Sequence, residues 1–165
     1  MTMGSAECEN ERKTNKAESN IVLDQKLLDT MLSHASSAYP EECCGLLIGE
    51  FHEGAAVKSV ASARAVVNVF EKSERYHRYT IDPKEYISIE NEAEKSGKEV
   101  VGIYHSHPNA PPRPSQYDQY YAWPTLSYVV IEVRERKPIG VASWRLKDDR
   151  SSFLEEQLTV ENNSA

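Results

Sequence analysis

The stretch GIYHSHPNAPPRPSQYD, residues 102–118, decides how this chain is read. It continues an apolar run, residues 100–105, with the character of a buried strand, and it carries two imidazoles two positions apart. Residues i and i+2 of a strand face the same side, so His105 and His107 converge on one point. Asp118 follows eleven residues after the second histidine, and its carboxylate would complete a three-donor set of the kind that holds a catalytic zinc ion. Three protein donors leave one position for water, whose pKa the metal lowers towards about 7. Pro108, Pro111, Pro112 and Pro114 fix φ at four points of the loop between, which reduces the entropy lost in bringing Asp118 back to the histidines. Ser115 stands where its hydroxyl could donate to an oxyanion forming beside the metal. Plainer readings exist. A His-x-His on a strand is often surface or core decoration, and Ser115-x-x-Asp118 is an ordinary helix start. A helix start is also a rigid place from which to aim a ligand, so both readings can hold together.

A hydrolytic site of this kind wants a general base, commonly a carboxylate. Upstream, YPEECCGLLIGE, residues 39–50, puts Glu41 and Glu42 at the entrance of an apolar strand, 43–48. Either could reach the end of a neighbouring strand, or the two could form a solvated pair. Cys43 and Cys44 point to opposite faces of a regular strand and cannot jointly hold one metal, which excludes them as ligands. The third cysteine, Cys8, lies in the polar N-terminal segment. Three cysteines, two of them adjacent, make no disulfide framework and fit a reducing compartment.

Outward from these two stretches the pattern is α/β. Leu27, Leu28, Met31, Leu32 and Ala35 recur at helical spacing behind Asp24, a good N-cap, and Pro40 ends the pattern. Residues 55–69 read as one or two strands after the turn at Gly54. Asp82, Pro83 and Glu85 start a second helix that Gly97 closes, with Tyr86, Ile89 and Ala93 on one face. A short helix over 115–122, two β-rich runs over 126–133 and 139–146, and a last strand over 153–160 complete the unit. The expected organisation is one domain, residues 20–160, between polar segments 1–19 and 161–165 that cannot offset their ordering entropy and are expected to be disordered. A chain of 165 residues suits a single core. Its 19 Lys and Arg against 26 Asp and Glu, a net charge of −7, is the wrong sign for a nucleic-acid partner. No run approaches the roughly 18 apolar residues of a membrane span, and residues 1–20 hold no signal-peptide run, so a cytoplasmic protein without a membrane partner is expected.

Taken together, these residues resemble the JAMM, or MPN+, zinc metalloproteases. That family's pattern is an upstream Glu, then His-x-His, seven residues, Ser, two residues, Asp, and this chain matches it with His105, His107, Ser115 and Asp118. The family's Glu lies in a segment like P-x-E-x-x-G-L-L-x-G, with which Pro40, Glu42, Gly45, Leu46, Leu47 and Gly49 align. The resemblance selects Glu42 over Glu41. It implies a single MPN domain, a mixed β-sheet flanked by helices with cytidine-deaminase-like architecture, covering the chain from the first helix to the strand near Trp144. It also implies that His105, His107 and Asp118 bind one zinc ion, that Glu42 shuttles the water's proton, and that Ser115 helps to stabilise the tetrahedral intermediate.

The chain lacks the longer insertions of the eukaryotic deubiquitinases and looks like the compact bacterial and archaeal members. Those members are similar to enzymes that cut after the C-terminal Gly-Gly tail of a small ubiquitin-like or sulfur-carrier protein, including enzymes that release cysteine from a carrier. An extended Gly-rich tail can add as a strand at an exposed sheet edge, and residues 65–79, with Asn68 and the charged run 71–78, are the candidate groove. Two rival functions compete. A catalytically silent scaffold of the same fold would lack the metal ligands, and here Glu42, His105, His107, Ser115 and Asp118 are all intact. A nucleobase deaminase would need a C-x-x-C pair, and this chain has only adjacent cysteines.

Overall fold

Asp24 ends one element and begins the next. In the computed structural model, which describes residues 16–162, its carboxylate accepts from the Leu27 N–H at 2.8 Å and caps the first helix. Among the described residues the order is β1 (Lys16–Asp24), α1 (Gln25–Ala38), β2 (Cys44–His52), β3 (Val57–Val66), α2 (Pro83–Lys95), β4 (Glu99–Pro108), α3 (Gln116–Tyr121), β5 (Ser127–Arg134), β6 (Lys137–Leu146) and β7 (Phe153–Glu161). Asp82 caps α2 through the Lys84 N–H, with Pro83 in the first turn. No helix among the described residues is long and apolar enough to cross a membrane.

The sheet is mixed, as expected, but it closes. Around it run β1, β3, β2, β4, β5, β6 and β7, and β1 pairs in parallel with β3 on one side and β7 on the other. α1 packs against β1, β3, β4, β5, β6 and β7 and so lies across the inside of the barrel. Leu28, Met31 and Ala35 bury their faces there among Ile21, Leu47, Val60, Tyr104, Val129 and Ile131. On the outer face α2 covers β2 and β4 through Ile89 and Ala93, packed with Cys44, Leu46, Ile103 and Tyr128. The flat helix-flanked layer of a deaminase-like architecture is therefore replaced by a barrel wrapped round one helix, with a second helix outside. The physical reason is β1: its polar first half reads as tail, and its parallel pairing with β7, which closes the sheet, joins Asn20 to Gln157 across nearly the whole chain. The strand begins at Lys16 and β7 runs to Glu161. Residues 1–15, with Cys8, and 163–165 lie outside the described residues.

At the end of the barrel away from the His105–His107 segment, Lys58 of β3 is 2% exposed. It donates to the Thr125 carbonyl at 3.0 Å and to Ser127 Oγ at 2.8 Å, and Ser127 donates to Glu156 of β7 at 2.8 Å. Burial lowers the lysine to about 8 and raises the glutamate; the hydroxyl between them keeps both satisfied.

Two glycines of the β2 segment have steric work. A Cβ on Gly45 would collide with the Tyr104 ring, and a Cβ on Gly49, at a register shift between β2 and β3, would collide with the Ser59 carbonyl. A ring can shift; backbone of a paired strand cannot. Gly49→Ala is expected to destabilise by about 1–3 kcal/mol or more, and Gly45→Ala by less. Urea unfolding monitored by circular dichroism orders the two.

Candidate metal centre

The antiparallel pairing of β2 with β4 sets Cys44 opposite His105. Continued two residues outward, the register brings Glu42 opposite His107. The alternation also decides between the neighbouring acids. Cys44 and Leu46 face the α2 side whereas Cys43 and Leu47 face α1, so Glu42 shares the face of both histidines. Its Oε1 lies 3.6 Å from His107 Nε2, and the residue is 3% exposed. Glu41 does not share that face.

The three predicted ligands meet. His105 Nε2 and His107 Nε2 are 3.1 Å apart, and Asp118 Oδ2 is 3.3 Å from the first and 3.2 Å from the second. Ligands held ~2.0–2.1 Å from a tetrahedral ion stand about 3.3 Å apart, so this triangle has the size of one face of such a coordination shell. Glu42 with the two histidines forms an overlapping group of possible metal ligands. The imidazole pair is thus shared by two carboxyl groups, with Asp118 the closer. Oε2 of Glu42 is buried without a hydrogen-bond partner, as fits a group that completes its bonding with something held between these side chains.

Asp118 has the helix-start geometry of its motif and faces both histidines. Ser115 Oγ accepts from the Asp118 N–H at 3.0 Å, while Asp118 Oδ2 accepts from the Ser115 N–H at 2.8 Å. This capping box fixes the carboxylate that points at the histidines. The loop before it is anchored by the His107 Nδ1 bond to the Pro111 carbonyl at 2.9 Å and the Trp144 Nε1–H bond to the Pro112 carbonyl at 2.9 Å. The bond of Nδ1 to the Pro111 carbonyl turns His107 Nε2 towards the site.

The environment separates the two acids. Burial pushes Glu42 up to about 9, and the nearby Asp118 charge adds to this. Burial would raise Asp118 too, but attraction to His105, hydrogen bonds from both imidazoles and the Ser115 N–H outweigh it and hold the group well below the usual carboxylate range. Complete burial lowers His105 more than Asp118 raises it, which favours the neutral, metal-ligating ring. Cys43 and Cys44 pack on opposite faces and both are buried; burial pushes the Cys43 thiol up to about 11 and Cys44 higher still. Neither is available as thiolate.

Sequence reasoning missed two contributors. Ser106, between the histidines and fully buried, accepts from the Cys43 N–H through Oγ at 2.8 Å and donates its own N–H to the Cys43 carbonyl. It ties the entrance of β2 to β4, and its position on the face opposite the imidazoles was the available signal. Tyr79 stacks on His105 with ring centroids 4.6 Å apart and planes 27° apart; nothing local in the sequence announces it. A cavity of 820 Å³ opens beside Asp118, lined by Tyr79, Ile81, Tyr86, Tyr117 and Tyr128.

Residues 24–147 match a family model described as prokaryotic homologs of the JAB domain. A desampylase of Pyrococcus furiosus is 30% identical over 151 residues, covering 90% of this chain and 96% of that protein. A CysO-cysteine peptidase of Mycobacterium bovis is 27% identical over 141 residues, covering 85% and 90%. A protein from Desulfitobacterium hafniense, solved in solution, superposes with a TM-score of 0.74 at 31% identity, covering 87% of this chain and 94% of that one.

Asp118→Asn keeps an acceptor for the Ser115 N–H and removes the anionic donor. It is expected to weaken Zn2+ binding by about 10-fold or more with little change in helix content, as read by metal titration and circular dichroism. Undiminished zinc affinity would reduce Asp118 to a capping residue.

Proposed function

This chain belongs to the prokaryotic JAB-domain family, and from that premise we propose that it is a zinc-dependent peptidase or isopeptidase. Its substrate is the bond after the C-terminal Gly-Gly tail of a small ubiquitin-like or sulfur-carrier protein. One observation carries the reading: two imidazole nitrogens and one carboxylate oxygen close a triangle of 3.1–3.3 Å, with a second, differently tuned carboxyl 3.6 Å from it. The similarity to a desampylase and to a CysO-cysteine peptidase supports the substrate class.

His105, His107 and Asp118 would hold the zinc ion. When bound, it supplies a Lewis acid that polarises the scissile carbonyl and makes water more acidic. The chain's own residues do the rest. Glu42 accepts the proton of the attacking water and returns it to the departing amine, from a position 3.6 Å from His107 Nε2. Asp118, held anionic, keeps the donor set charged at the same pH. Ser115 Oγ already accepts from the Asp118 N–H, so its own proton is left to donate to the developing oxyanion. Val67 and Val69, both exposed, follow the end of β3, and an extended tail could lie along β3 beyond Ser59, where its pairing with β1 ends. A Gly-Gly tail suits a site in which the attacked carbonyl must approach buried side chains closely.

The test is incubation of the zinc-loaded chain with ubiquitin-like proteins bearing either a C-terminal extension or a lysine-linked adduct, the products weighed by mass spectrometry. Cleavage after Gly-Gly is expected. Glu42→Gln is expected to keep one zinc per chain and to lose about 10²–10⁴-fold in kcat. Full residual turnover would remove Glu42 from the mechanism, and absence of any hydrolysis by the wild type would favour a scaffold.

A further inference from the structure

Residues 67–82 contribute neither strand nor α-helix, yet they pass beside both Glu42 and His105. One half-buried side chain organises them. Asn68 Nδ2 donates to the Glu42 carbonyl at 3.0 Å and to the Arg78 carbonyl at 2.9 Å. Its Oδ1 accepts from the Phe70 N–H at 3.1 Å and the Thr80 N–H at 3.2 Å. A carboxamide offers two N–H donors and one oxygen with two lone pairs, so its capacity is complete. The orientation is unique as well, because the opposite flip would set NH2 against two N–H groups and oxygen against two carbonyls.

These four bonds meet at the catalytic side. The Glu42 peptide is held at both polar groups by this one segment: its N–H donates to the Arg75 carbonyl at 2.7 Å and its carbonyl accepts from Asn68. Arg75 in turn donates through Nε to the Phe70 carbonyl at 2.7 Å. Arg78 and Thr80, the residues gripped on the return leg, flank Tyr79, whose ring lies on His105. One amide therefore ties the backbone of the proposed base to the backbone of the residue stacked on a proposed ligand.

We propose that Asn68 is a positioning residue: through its bond to the Glu42 carbonyl and its grip on both sides of Tyr79 it sets the placement of the Glu42 carboxyl against the His105–His107 pair. This rests on the role proposed for Glu42. Asn68 touches neither the donor triangle nor the reacting atoms. It restricts the chain that carries the proton acceptor, and a displacement of about 1 Å at such a group can cost about 100-fold in rate.

Asn68→Asp separates this role from a general one. The aspartate keeps acceptors for Phe70 and Thr80 and removes both donations, setting a carboxylate against the Glu42 and Arg78 carbonyls. In the zinc-loaded full chain, kcat is expected to fall about 10–100-fold with KM changed less than about twofold, and zinc content and near-UV circular dichroism are expected to be retained. In the Glu42→Gln background the same change is expected to cost nothing further, because the group it positions is gone. Hydrogen exchange gives a readout independent of turnover: the Phe70 and Thr80 N–H groups, which donate to Asn68 Oδ1, are expected to keep their protection in Asn68→Asp and to lose it in Asn68→Ala. Failure of the substrate assignment would appear as an inactive wild type with this exchange pattern intact. Four results would overturn the proposal: unchanged kcat, a rise in KM alone, an additive loss in the Glu42→Gln background, or loss of zinc or tertiary signal together with activity.

Discussion

The register between β2 and β4 is the constraint on which the site depends. With Cys44 facing His105, the acid two residues earlier falls beside the imidazole two residues later. A slip of one position would turn Glu42 into the α1 core and leave the histidines facing Glu41 or a cysteine. Several features oppose that slip. The Ser106 hydroxyl binds the Cys43 N–H, Gly45 admits the Tyr104 ring, and Gly49 admits the neighbouring backbone. Gly45 thus serves the geometry of the site at a distance, by allowing the one β2–β4 alignment in which strand alternation brings Glu42 beside the histidines, while Gly49 holds β2 close to β3.

Two carboxyl groups within one buried site must differ if they are to have different tasks, and here the surroundings separate them. Asp118 collects a backbone N–H and two imidazole partners, all of which favour its charged form. Glu42 has one oxygen without a partner and is pushed up to about 9, first by burial. The capping box connects this electrostatic division to local folding: the same two hydrogen bonds that start α3 also prepare the anionic donor. A motif that reads both as a helix start and as a ligand pair does not have to choose.

What was legible in the sequence was local. Asp24, the Asp82–Pro83 pair and Ser115 announce their helices because capping is decided within four residues, and His105 with His107 announce a shared face because alternation is decided within three. Glu42 needed more, since its choice over Glu41 depends on a partner strand sixty residues away, and only the spacing pattern of the family selected it. The parts that stayed hidden are long-range. The first half of β1 is polar, so its place between β3 and β7 follows from topology rather than composition, and with it the closure of the sheet into a barrel. Residues 65–79, Asn68 among them, read as a candidate groove, but the four bonds of Asn68 and the stacking of Tyr79 on His105 are set by what the fold brings to a segment with no periodicity.

The four groups of the site differ in where they originate along the chain. All three atoms of the triangle come from residues 105–118, a short excursion whose closure costs little entropy and which carries its own turn and cap. Glu42 comes from outside that excursion and is placed only where β2 pairs with β4. The triangle is thus a local construction and the fourth group a tertiary one, so a change that loosens the β2–β4 pairing separates Glu42 from the triangle while leaving the triangle's own turn and cap in place.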